Sequence, residues 1–225
     1  VEQINLDWAK GIKLYGKKYF NTLENTGVAS LIDVCYPVGM TADIETFILA
    51  DQWMRMLFSI DDTVDSHKMS SQELRKFNDK KEGIISGAGQ QNLEHPKLQA
   101  INEIYSKHRE RFSEDFKASF LQYLRSVEYE LQLRESNVRV NSRIIEMHRP
   151  YASGACHAIK MGFSFQGIDY AALEEKYFAL APMLADVSLH IGWINDVFSW
   201  EKEYDTDSYS LNVVDLYIKK GKTVE

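Results

Sequence analysis

Four prolines in 225 residues, at positions 37, 96, 150 and 182, leave long stretches in which nothing interrupts a helix. Polar and apolar residues do not alternate over any useful length. Apolar residues do recur at helical spacing, as with Ile44, Ile48, Met54 and Leu57. Long helices that are apolar on one side must bury that side against each other. The expected fold is therefore all-α: a single-domain antiparallel helical bundle over residues 1–225.

Local punctuation divides the bundle. The pattern predicts a first helix over 2–14, a loop with Gly27, and a helical stretch from about Ser30 that Pro37 and Gly39 interrupt. Thr41 is read as the N-cap of a long helix ending at Asp65, with Asp43 and Glu45 in its first turn. A short amphipathic helix over 70–81 follows. Gly83, Gly87 and Gly89 mark a loop that closes at His95-Pro96. Helix is expected from 97 to 134 with a bend, then a loop over 137–140 and a helix capped by Asn141 or Ser142. Asp169 caps a helix over 171–177, a long helix runs from Pro182 to about Tyr204, and the segment 209–219 is helical.

Composition narrows the class. Hydrophobic residues at 44% and charged residues at 26% are ordinary for a globular protein with a buried core. A net charge of −7 argues against a nucleic-acid partner, which calls for a basic face. Two cysteines far apart, Cys35 and Cys156, make neither a disulfide framework nor a metal-ligand spacing, so a reducing, cytoplasmic setting is expected. The opening residues carry Glu2 and Asp7 and do not read as a signal peptide. The apolar stretch 177–194 contains Pro182, Asp186 and His190, which fits a core helix and not a membrane span.

Function is carried by polar residues within the apolar helices. Asp61-Asp62-Thr63-Val64-Asp65 closes a mostly apolar run, and Asp61 and Asp65, four apart, share a face. Three carboxylates at a helix C-terminus repel one another and oppose the helix dipole. Mg²⁺, which takes carboxylate oxygens while keeping waters and phosphate ligands, relieves both. The alternative is a solvated helix end served by nearby lysines. A calcium loop is excluded, because Ser66 stands at its glycine position and Gln72 at its closing glutamate.

A second cluster lies in Asn195-Asp196-Val197-Phe198-Ser199-Trp200-Glu201-Lys202-Glu203. Asn195, Ser199 and Glu203 fall at i, i+4 and i+8 on one face. Amide, hydroxyl and carboxylate supply oxygens for another Mg²⁺ with a single formal charge. Asparagine and serine are otherwise poor helix-interior residues. The alternative is a partly exposed helix with a Lys202 ion pair.

DDTVD and NDVFSWEKE, in this order on two long helices, resemble the paired motifs of class I terpene synthases of the microbial single-domain type. Trp8-Ala9, Cys35-Tyr36-Pro37, the Asp51-Gln52-Trp53 to Phe58 approach and Asn212-Val213-Val214 followed by Gly221 also follow that family's pattern. The resemblance implies a diphosphate-sensing arginine 46 positions before the second motif. Since 195 − 46 = 149, this is Arg149. It further implies that Lys202 contacts the diphosphate, that Ser153 belongs to an effector region, and that three Mg²⁺ bind: two held by Asp61 and Asp65, one by Asn195, Ser199 and Glu203. Asp62, turned about 100° from Asp61, is expected to act from behind the ligands. Trp53, Phe58, Phe163 and Trp193 are the aromatic residues expected to face a carbocation, Phe58 foremost.

What the resemblance implies is ionisation of an isoprenoid diphosphate, farnesyl diphosphate first, to give a sesquiterpene by a monomer or homodimer. Family members usually carry further C-terminal helices with an Arg-Tyr pair and an extra N-terminal segment, so the domain is expected to be incomplete at both ends. Two other readings stand beside this one. A prenyl diphosphate synthase would carry a second aspartate-rich motif where Asn195 and Ser199 stand. An inactive or truncated protein would bind isoprenoid diphosphate without turnover. A di-iron bundle is excluded, since no histidine follows a glutamate by three residues.

Overall fold

The computed structural model describes residues 1–16, 27–65, 69–88, 93–136, 140–205 and 211–221. Among these, twelve α-helices and one 3₁₀ turn account for the regular structure, and no strand occurs. The helices are α1 (Glu2–Gly11), α2 (Val28–Cys35), α3 (Val38–Ala42), α4 (Ile44–Asp65), α5 (Ser71–Ile85), α6 (Pro96–Lys107), α7 (Glu114–Glu135), α8 (Ser142–Ala152), α9 (Ala155–Phe165), α10 (Tyr170–Lys176), α11 (Leu180–Asp205) and α12 (Val213–Lys219). The all-α expectation holds.

The core is aromatic and centred on α4. Trp53 is fully buried, with the rings of Phe112, Phe116 and Phe120 at 5.3, 5.0 and 5.0 Å in edge-on contact. Phe165 of α9 stacks on Phe116 at 5.4 Å. Edge-on aromatic pairs are each worth about 0.5–1.5 kcal/mol beyond area burial, so this cluster fixes α4, α7 and α9 against each other. A buried ion pair adds to it. The Arg55 Nε donates to Asp51 at 2.8 Å, and its guanidinium also pairs with Glu2, whose other oxygen accepts the Ala29 N–H at 2.9 Å. One arginine thus joins α1 and α2 to α4.

Several boundaries differ from expectation, each for a local reason. The first helix stops at Gly11, three residues short of Leu14. Thr41 does not cap α4. It lies within α3, and Asp43 accepts the Glu45 N–H at 3.3 Å at the true start. Helix α5 runs past Gly83 to Ile85, because Ile84 and Ile85 are buried. It begins with a full capping box, Ser70 with Glu73.

The expected bent helix over 97–134 is two helices. A 3₁₀ turn at Arg109–Arg111 separates α6 from α7, and the Ser113 side chain accepts the Phe116 N–H. Ser113 followed by Glu114 and Asp115 is an N-cap signature. Asn141 and Asp169 cap α8 and α10 as read. The last helix starts at Val213 and not at 209, and the residues from 206 to 210 lie outside the described part. Among the described residues, no single helix is long and apolar enough to cross a membrane.

Candidate active site

Helices α4, α7, α8, α9 and α11 border one large, open cavity of about 820 Å³, within the range of small-molecule sites, about 300–1,000 Å³. Its charged residues gather around Arg149 of α8: Asp61 from α4, Glu130 from α7, and Asp196 and Glu203 from α11; Asn195 and Asn212 adjoin them, and Arg134 and Gln166 also line the cavity. The remaining wall is largely apolar and includes Met54, Leu57, Phe58, Ile159, Phe163, Ile191 and Ile194. Asp61 and the residues of α11, more than a hundred positions apart, thus line one pocket.

Arg149 sits at the centre of the polar end. It donates through Nη2 to Asn195 Oδ1 at 3.1 Å, pairs with the Asp196 carboxylate, and lies 3.5 Å from Glu130 Oε1. Burial alone pulls its pKa down, but the charges of Asp196, Glu130, Glu203 and Asp61 outweigh burial and hold the guanidinium firmly protonated. Asp196 is itself buried, which pushes its carboxyl up to about 6 against the pull of Arg149.

The second cluster is built as a stripe on α11. Ser199 Oγ donates to Glu203 Oε1, and Glu203 Oε2 accepts from Asn212 Nδ2 at 3.0 Å. The same Asn212 amide donates to the Asp196 carbonyl at 2.8 Å, while its Oδ1 caps α12 by accepting the Val214 N–H. Asn195 and Glu203 line the cavity; Ser199 stands beside Glu203, half-buried. Carboxylate, amide and hydroxyl oxygens converging on one helical face suit a hard divalent cation. Of the first cluster, Asp61 lines the cavity on the opposite side. The side chains of Asp62, Asp65 and Lys202 lie outside the described residues. Among the described residues, no group of three histidine, cysteine, aspartate or glutamate side chains clusters as a metal site. The donors of α11 include an amide and a hydroxyl, which such a grouping does not contain.

Of the aromatic residues singled out by sequence, Phe58 and Phe163 line the cavity, and so does Ser153. Trp53 and Trp193 do not. Trp53 is one layer back in the core, where its indole N–H donates to His157 Nε2 at 2.8 Å. Trp193 is two residues from Asn195, about 200° round the helix and so on the other face. The sequence reading missed Tyr36. Its ring lines the cavity, its hydroxyl donates to the Ala158 carbonyl at 2.8 Å, and it lies against Gly162, where an added Cβ would stand 3.0 Å from the ring. Glu130, Asp196 and Asn212 were also without an assigned role.

Asp61 on one helix and Asn195 and Glu203 on another thus border the same pocket. The sequence model of terpene synthase family 2, C-terminal metal binding, matches residues 52–225, and the chain belongs to that family. No curated protein sequence matches it. Solved structures do. With α-eudesmol synthase the TM-score is 0.78 at 16% identity, over 98% of this chain and 72% of that one. With linalool/nerolidol synthase from Streptomyces clavuligerus, solved with 2-fluorogeranyl diphosphate, it is 0.78 at 16%, over 99% and 72%. With SVS_A2, a protein from ancestral sequence reconstruction, it is 0.77 at 13%, over 91% and 64%. At these identities the likeness is one of fold. The chain spans roughly two thirds of the length of these structures.

Proposed function

We propose that this chain forms the ionising site of a magnesium-dependent terpene synthase, which releases diphosphate from an isoprenoid diphosphate and lets the carbocation cyclise. Farnesyl diphosphate, giving a sesquiterpene, is the first candidate substrate. One observation carries the reading: Asp61, Arg149, Asn195 and Glu203 share the polar end of a single cavity whose other walls are largely apolar. The neighbour solved with 2-fluorogeranyl diphosphate supports the substrate class.

Asp61 and Asp65 would hold two Mg²⁺, and Asn195, Ser199 and Glu203 a third. Bound magnesium supplies neutralising charge to the leaving diphosphate. Arg149 and Lys202 would offer donors to the diphosphate oxygens as negative charge builds on them. An apolar wall suits a carbocation, which water would quench. Phe58, Phe163 and Tyr36 line the cavity, and an aromatic face turned to a cation is worth up to about 2 kcal/mol when desolvated. Ser153 sits at the turn between α8 and α9, one turn beyond Arg149, where it feels any shift of that arginine. Asp62, by its place in the motif, would act from behind the ligands.

The assay is incubation of the 225-residue chain with geranyl, farnesyl and geranylgeranyl diphosphate, with Mg²⁺ or chelator, followed by gas chromatography–mass spectrometry. Chelator-sensitive cyclic hydrocarbons from farnesyl diphosphate are expected. Hydrocarbon formed equally well in chelator would refute the metal mechanism. The alternative is a protein that binds isoprenoid diphosphate without turnover. Magnesium-dependent diphosphate affinity with no product would select it.

Tyr36 offers a finer test. Tyr36→Leu removes a ring face without touching the polar end. Substrate consumption should stay within roughly threefold of the parent chain, while the product mixture shifts toward less cyclised hydrocarbons, because a ring contributes about 1–2 kcal/mol to a desolvated cation. An unchanged mixture would remove Tyr36 from the cavity's working surface.

A further inference from the structure

Helix α11 holds one glycine in 26 residues, Gly192, three positions before Asn195. Glycine weakens a helix interior relative to alanine, so its presence in the middle of this long helix calls for a reason. Packing supplies one. A Cβ built on Gly192 would stand 2.8 Å from Cγ of Arg149, closer than real Cβ atoms come, whereas the Arg149 carbonyl and Ser153 Cβ would both be at an ordinary 3.5 Å. The only severe contact is therefore with the stem of the arginine.

That stem has little freedom to yield. Arg149 is largely buried, and its guanidinium is held on Asn195, Asp196 and Glu130. From these observations we infer that Gly192 is a positioning residue. The missing side chain opens a notch in α11 across which the Arg149 stem lies, and the notch delivers the guanidinium to the polar end of the cavity. A side chain at 192 turns the arginine out of its station. The consequence for ligand binding rests on the reading of Arg149 as a diphosphate donor; the packing consequence does not.

A double-mutant cycle separates the two. Gly192→Ala, Arg149→Ala and the double variant are made in the full 225-residue chain, and thermal melts are recorded without ligand. Gly192→Ala is expected to lower the melting temperature by several degrees when Arg149 is present. In the Arg149→Ala background, which has no Cγ, the same substitution is expected to raise it, because the helix gains alanine and nothing is in the way. If Gly192→Ala does not fold but the double variant does, the inference stands in its strongest form. Destabilisation of equal size in both backgrounds, failure of both to fold, or no change in either would overturn it.

Calorimetric titration with inorganic diphosphate in saturating Mg²⁺ is the second arm. Arg149→Ala and Gly192→Ala should each weaken binding about tenfold, and the double variant should be no weaker than Arg149→Ala alone. Undiminished binding by Arg149→Ala would sink the diphosphate role of that arginine and leave the melting result to decide the notch. Weakened binding by Arg149→Ala with none by Gly192→Ala would sink the notch.

Discussion

Asp61→Ala and Asn195→Ala are each expected to lower turnover of isoprenoid diphosphate by at least about 100- to 1,000-fold, the scale on which removal of one preorganised electrostatic group acts. Far-UV circular dichroism should be unchanged. Asp61 is exposed at the end of α4, and Asn195 is exposed on α11, so neither truncation opens a hole in the core. Asn195→Ala also removes the oxygen that accepts from Arg149 Nη2 at 3.1 Å, but Asp196 still anchors the guanidinium. Its loss should therefore appear as weakened metal affinity, with a higher Mg²⁺ concentration needed for half-maximal rate. Asp196→Asn is the contrast. It leaves the Asn-Ser-Glu oxygens in place and strips the arginine of its main counter-charge, so its effect should fall on diphosphate affinity. Kinetics over a Mg²⁺ series distinguish the two. Normal turnover in both Asp61→Ala and Asn195→Ala would end the metal-site reading.

The two ends of the site were legible because helical periodicity is a local property. Asp61 with Asp65, and Asn195 with Ser199 and Glu203, declare a shared face by spacing alone. The same arithmetic would have removed Trp193, since two residues along α11 is most of the way to the opposite face. It could not have removed Trp53. That residue lies eight before Asp61, within reach of the same side, and only the packing of α7 and α9 around it shows it is behind the wall.

Tyr36, Glu130, Asp196 and Asn212 depend on contacts between elements distant in sequence. The Tyr36 hydroxyl meets a carbonyl 122 residues away, and no pattern in the sequence announces that. Gly192 was passed over for the opposite reason, since a lone glycine in a helical pattern looks like a weak point and not a fit. Boundaries failed where a cap competed with a longer pattern, as at Asp43 and Ser113, and where burial carried a helix past a glycine, as at Gly83.

His157 is expected to make the fold acid-sensitive. It is buried in the aromatic cluster, and both ring nitrogens are committed: Nε2 accepts from the Trp53 indole at 2.8 Å, so Nδ1 carries the proton and donates to Ser119 Oγ at 2.8 Å. The Ser119 hydroxyl in turn donates to the Phe116 carbonyl at 2.9 Å, and the chain of donors is complete. A second proton on the imidazole would point an N–H at the Trp53 N–H. Burial, with Lys160 adding to it, brings the pKa down to about 3. The unfolded chain protonates this histidine near pH 6.5, so between these values the unfolded state binds the extra proton and the native state does not. Stability is therefore full above about pH 6.5 and is lost as pH falls toward 3, at up to about 1.4 kcal/mol per pH unit. His157→Ala at pH 7.5 should cost about 3 kcal/mol through the cavity and the stranded Trp53 and Ser119 groups, or roughly 6–12 °C in Tm for a chain of this size. It should also flatten the acid limb, so that by pH 5 the two proteins differ by about 2 kcal/mol less than at pH 7.5. Urea titrations at both pH values measure this. A difference that does not change with pH would show that His157 takes up its proton alike in the folded and unfolded chain, and would exclude this histidine as the source of any acid sensitivity.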